Sequence, residues 1–112
     1  MKYALLVYDD PGSWHDASTE QRHARHDQYR DVAATTGVIG HYRLRPPQKT
    51  TTVRVEDDRL VKTEGPLADT RQTLRALYLI ENDDHDAVLE FASRIPAART
   101  GGAVEVWPLT ER

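Results

Sequence analysis

Lys2 to Tyr8 (KYALLVY) and Ala76 to Glu81 (ALYLIE) are short runs in which almost every side chain is apolar or β-prone. A strand that alternates polar and apolar residues can lie at a surface, whereas one that is apolar on both faces belongs inside a sheet. Asp9, Asp10, Pro11 and Gly12 close the first run with turn-forming residues. The chain is therefore expected to build a sheet around these two segments, the first of them central, and to cover it with what the rest of the sequence supplies.

Ser18 suits a helix N-cap, Glu20 and Gln21 suit a first turn, and nothing breaks the pattern before Gly37, which predicts a helix from about Thr19 to Thr36. Its apolar stripe is thin. Arg22, His26, Tyr29, Val32, Ala33 and Thr36 share one face, while His23, Asp27 and Arg30 lie on another, so the inward face carries a histidine. A second helix has Asp83 or Asp84 as cap and a strong stripe of Ala87, Val88, Leu89, Phe91, Ala92 and Ile95 before Pro96 stops it. Val38 to Leu44 reads as a strand, and Pro46 and Pro47, which cannot donate ladder hydrogen bonds, suit it to an edge. Thr50 to Val55 and Leu60 to Thr63 flank a polar turn and predict a β-hairpin. Val104 to Trp107, after the flexible pair Gly101 and Gly102, is a last short strand.

The order strand, helix, strand, hairpin, strand, helix, strand places the chain in the α+β class, as a ferredoxin-like sandwich with an extra β-hairpin. Such a sheet has one face covered by helices and one bare face, and apolar side chains on the bare face need a partner. A homodimer packed through two sheets would supply it. At 112 residues the chain is expected to be one domain, residues 1–112, too small for a deep enclosed pocket.

Fifteen Lys and Arg stand against 18 Asp and Glu, interspersed rather than blocked, so the charge pattern argues against nucleic acid as a partner. The absence of Cys excludes disulfides, a thiolate nucleophile and Cys-ligated metal, and it suits a reducing compartment. No stretch approaches the ~20 apolar residues of a membrane span, and the N-terminal run is too short for a signal h-region, so no membrane is expected and the cytoplasm is the expected location. Phosphate-binding glycine loops, dinucleotide fingerprints, nucleophile elbows and HExxH motifs do not occur, and no cofactor is expected.

His26 is the candidate acid or base, since its ordinary pKa lies near neutrality and it shares the inward stripe with Tyr29 and Val32; the other reading is a satisfied boundary histidine. Glu64, in the turn before Gly65 and Pro66, or Asp9, at the end of the first strand, is the candidate orienting carboxylate, and both segments also read as plain turns. Arg43, alternating with Arg45 on a strand, could clamp an anionic small-molecule ligand. Tyr8 and Trp14 could rim a pocket, or simply pack. His23 and His26 are spaced to share a metal, but two nitrogen ligands with no clear third or fourth point instead to a solvated helix face, and no metal site is expected.

The segment EGPLADTRQTLRALYLIENDD, Glu64 to Asp84, resembles the signature of YCII-related proteins of the DGPF subgroup, in which a run close to DGPFAETKE precedes a YYLIE-like strand and an acidic cap. The opening MKYALLVY, the stretch RLRPP followed by TTVRV, and the ending RIPAARTGGAVEVWP are similar to that family too. Departures fall at Glu64 for Asp, Leu67 for Phe, and Arg75 and Ala76 where two glycines are common. The resemblance implies a dimeric α+β barrel, two ferredoxin-like protomers enclosing a cleft. It implies little about activity, since relatives range from lyase-like or dehydrochlorinase-like chemistry to a place near regulatory genes. A helix histidine paired with a carboxylate occurs in similar proteins, and His26 is the residue placed to match it.

Overall fold

The computed structural model describes residues 1–12, 16–67 and 71–110. Its strands are β1 (Lys2–Asp9), β2 (Val38–Arg43), β3 (Thr51–Glu56), β4 (Arg59–Glu64), β5 (Thr73–Glu81) and β6 (Ala103–Pro108), and its helices are α1 (Thr19–Ala33) and α2 (His85–Arg94). Short 3-10 turns at Pro47–Lys49 and Pro96–Arg99 follow β2 and α2. Four strands pair antiparallel in the order β2-β5-β1-β6, while β3 and β4 form a separate hairpin. This is the ferredoxin-like arrangement with an added hairpin, β1 interior and β2 at an edge.

Alternation along β1 divides its side chains between two environments. Tyr3, Leu5 and Val7 point to the helix-covered face and are buried, as are Ala76, Tyr78 and Ile80 of β5. Val88, Phe91 and Ala92 of α2, with Ile95 and Ala97 after it, close this core. Burying an aliphatic side chain of this size stabilises by roughly 1.5–3 kcal/mol. Tyr78 also meets the Phe91 ring edge-on, with centroids 5.9 Å apart.

No residue of α1 is buried; Tyr29, Val32 and Ala33 only lean on the core edge. The thin stripe in its sequence has this consequence, because a helix with little to bury is not drawn tightly onto the sheet. α1 also stops at Ala33 rather than Thr36. The Thr35 hydroxyl donates to the Asp31 carbonyl, a local hydrogen bond that competes with the helical ladder, and the turn is completed by Gly37 at φ +99°. The start of the chain's last strand is equally constrained: a Cβ on Gly102 would lie 2.1 Å from the Tyr8 carbonyl oxygen, so only glycine lets β6 enter beside β1.

Two irregularities interrupt the sheet. Val7 pairs with Ala76 but Tyr8 with Leu74, so Arg75 is an extra residue on β5; Ile39 is likewise extra on β2, between Val38 and Gly40. The hairpin projects from the sheet, and the radius of gyration of 15.8 Å exceeds the roughly 13 Å of a compact chain of this length. Val53, Val55 and Leu60, on one face of the hairpin, are all exposed.

Candidate functional site

The loose seat of α1 leaves a cleft of about 290 Å³ between that helix and the β2-β5-β1 side of the sheet. Val7, Ala33, Leu44 and Ala76 give it apolar walls; Asp9, His26, Tyr29, Arg30, His41, Arg43 and Arg75 give it its chemistry. Asp9 reaches it because Val7 and Asp9 lie on the same side of β1. Arg43 reaches it from β2, opposite Ala76, and His26 from α1 across the gap.

Arg75 arrives by the β5 irregularity. In regular alternation from Ala76 its side chain would point to the bare face, but as the extra residue of a bulge it borders the cleft beside Ala76, while its carbonyl accepts from the Leu44 amide at 2.8 Å. Three arginines thus line a cleft holding one described carboxylate, in a chain of net charge -3. Arg30 is paired with Asp27 on its own helix. Arg43 and Arg75 border the cleft from adjacent strands.

Asp9 accepts a hydrogen bond from the Tyr29 hydroxyl at 3.5 Å. Burial pushes the Asp9 carboxyl above its usual range, an effect the guanidinium groups of Arg75 and Arg25 and the Tyr29 hydrogen bond oppose. Burial, with the Asp9 charge second, also holds the Tyr29 hydroxyl well above the usual tyrosine range, so it is a donor at neutral pH. Tyr78, pushed up to about 12 mainly by burial, donates in turn to the Tyr29 carbonyl at 3.5 Å. His41 stacks on the Tyr78 ring at 4.3 Å and 15°, and its Nε2 is buried with no hydrogen-bond partner among the described residues. Desolvation first, then the charge of Arg43, lowers its pKa.

The YCII-related domain matches residues 1–111 of the sequence, essentially its whole length. The chain belongs to the YCII-related family. Among curated proteins, an uncharacterised protein of Rhizobium meliloti (strain 1021) is 30% identical, with 97% of this chain and 92% of that protein covered. Among solved structures, a 5-chloro-2-hydroxyhydroquinone dehydrochlorinase from Burkholderia phenoliruptrix AC1100, in complex with 2,5-dihydroxybenzoquinone, is similar at a TM-score of 0.49 and 17% identity, with 98% of this chain and 96% of that one covered.

Within this YCII-related chain, Asp9, His26 and Arg43 come together at the cleft. His26 is exposed at its rim rather than buried beneath the helix; the half-buried inward positions of α1 belong to Arg22, Arg25, Tyr29, Val32 and Ala33. Glu64 does not approach the cleft: it ends β4, pairs with Thr51 and is exposed, because the hairpin carries it away from the main sheet. Tyr8 points to the bare face, where a hydrogen bond with Glu105, then burial, raises its pKa. Trp14, and Asp69 and Thr70 of the loop after Glu64, lie outside the described residues. Among the described residues no cluster of three or more His, Cys, Asp or Glu side chains is placed to hold a metal, and no helix is long and apolar enough to cross a membrane.

Tyr29, His41 and Arg75 are cleft residues that motif reasoning does not select. Tyr29 carries a signal in its helical spacing, three residues from His26 on the same stripe. Arg75 carries one in its departure from the glycines of similar sequences. His41 carries none, being one polar residue in a strand.

Proposed function

We propose that this YCII-related protein is an enzyme that performs acid/base chemistry on a small anionic or carbonyl-containing molecule in the cleft between α1 and the sheet, using its own side chains. The observation that carries the reading is the meeting of Asp9, His26 and Arg43, contributed by three separate elements, in one cleft. Asp9 is partly desolvated, which makes its carboxylate a stronger base than one in water, and Tyr29 holds it in place. His26 faces it from the opposite wall at the solvent rim, suited to exchange protons with water. A substrate between them loses a proton to one group and regains one from the other, while arginine guanidiniums stabilise the negative charge that develops on its oxygen.

His26→Ala is expected to keep the fold and lose turnover by about 100-fold or more, the usual scale for a proton-transfer group. His23→Ala, on the exposed side of α1, is expected to change little. A thermal-shift screen of anionic metabolites provides the substrate class, since a ligand at 100 times its dissociation constant stabilises by about 2.7 kcal/mol. Full turnover in His26→Ala would remove it from the reaction. The exposure of His26 also favours a second reading, a non-catalytic ligand-binding module; stabilising ligands that are never turned over would establish that one instead.

We propose also that the protein is a homodimer through the bare sheet face. Leu6, Leu77 and Leu79 lie on that face between Tyr42 and Trp107, which are 58% and 54% exposed. An apolar sheet face of this kind supports burial against a second copy, with a two-fold axis making the patch self-complementary.

A further inference from the structure

Beside the main cleft lies a second cavity of about 240 Å³, lined by Pro11, Pro46, Pro47, Gln48 and Thr73 together with Asp9 and Arg75. Asp9 and Arg75 border both spaces, so they stand at a junction rather than at the back of a pocket. Each space alone is smaller than the roughly 300–1,000 Å³ that ligand sites of drug-like size occupy, while the two taken together fall within that range. Their linings differ in kind. The first holds the titrating groups; the second presents three proline rings, which are rigid, apolar and free of backbone N–H donors, with an amide and a hydroxyl at the side.

Electrostatics fixes what belongs at the junction. Arg43, opposite Ala76, and Arg75, carried into the cleft by its bulge, border the first space from adjacent strands, and the planar fork of a guanidinium suits the two oxygens of a carboxylate. Asp9 beside them repels a carboxylate oxygen but accepts a proton from a neighbouring C–H or O–H.

We infer that the substrate is a carboxylate held by Arg43 and Arg75, its adjacent carbon beside Asp9, with a planar apolar group a short linker away lying against Pro11, Pro46 and Pro47. This rests on the acid/base reading of the same cleft and names the substrate class for it. The proline compartment sets specificity: its three rigid apolar rings admit a flat ring.

The test is binding rather than turnover, measured by NMR titration with 3-phenylpropionate, its neutral amide 3-phenylpropanamide, and propionate. The phenyl acid is expected to bind at least about 10-fold more tightly than either of the others, on the scale of a charge-assisted contact. Arg43→Gln and Arg75→Gln are each expected to weaken the phenyl acid by about 10-fold or more, with Arg75→Lys recovering only part because lysine lacks the planar fork. Gln48→Trp, at the exposed rim of the proline compartment, is expected to weaken the phenyl acid and leave propionate unchanged. Equal binding of acid and amide, or unaltered affinity in both arginine variants, overturns the clamp; equal binding of the phenyl acid and propionate overturns the proline compartment. Failure of the acid/base reading shows separately, as full turnover retained in His26→Ala, and is distinct from either result.

Discussion

Asp9 is a residue whose stability and chemistry pull in opposite directions. Its raised pKa means that, between 3.8 and its folded value, the native chain holds a proton the unfolded chain has released, so stability falls as pH rises through that window. Asp9→Asn can still accept from Tyr29 but carries no charge to desolvate. It is expected to melt above the parent at pH 7, to match it below 3.8, and to lose turnover; a variant no more stable than the parent at pH 7 would contradict the burial argument. His41 has the opposite sign. Its lowered pKa means that, as pH drops below 6.5, the unfolded chain takes up a proton the native chain resists, and stability is lost. His41→Phe keeps a ring on Tyr78 and removes a buried Nε2 that has no partner among the described residues, so denaturant unfolding is expected to show a gain of about 1 kcal/mol at neutral pH, widening as the solution is acidified.

Among the elements, α1 is the wall whose position decides the width of the cleft, and it is held by its ends more than by its face. Ser18 accepts from the Gln21 amide at 3.1 Å while the Gln21 side chain accepts from the Ser18 amide at 2.8 Å, a complete capping box. With no buried residue in the helix, the cap is a large share of what keeps it formed. Ser18→Ala is expected to cost about 1 kcal/mol in denaturant unfolding and to lower turnover, because His26 and Tyr29 ride on this helix. α2 is the contrast: Val88, Phe91 and Ala92 are buried, so its seat depends on packing.

For the whole molecule, the sheet face that the helices leave bare is the surface on which the proposed dimer rests. Sedimentation at micromolar concentration is expected to show a species of twice the 12.7 kDa chain mass. Leu77 pairs with both Leu6 and Tyr42 near the middle of that face, so Leu77→Lys would bury a charge in the dimer and is expected to give the monomer without unfolding it. A parent chain that sediments as a monomer would refute the assembly. The exposed Val53, Val55 and Leu60 face of the hairpin is a second uncovered surface, and a two-stranded hairpin gains little stability alone.

Much of the architecture was legible because it depends on local periodicity. Two-faced apolar runs put β1 and β5 inside the sheet, the strong stripe of α2 identified the core helix, and Pro46 and Pro47 marked β2 as an edge strand. Asp9, His26 and Arg43 were legible as candidates by residue type and position. Their meeting was not, and neither were the direction of Arg75, the place of His41, or the separation of Glu64 and Tyr8 from the cleft. Which way Arg75 points depends on a bulge, and a bulge is a mismatch in pairing between β1 and β5, strands more than sixty residues apart in the chain. Glu64 leaves the site because its strand pairs with β3 alone, and the cleft exists because a helix with a weak stripe packs only at its edge. The sequence by itself determined which segments are strands and helices and which faces are apolar, since those are properties of neighbours in the chain; the tertiary structure alone decided which charged groups share a space, since that is set by register between distant segments.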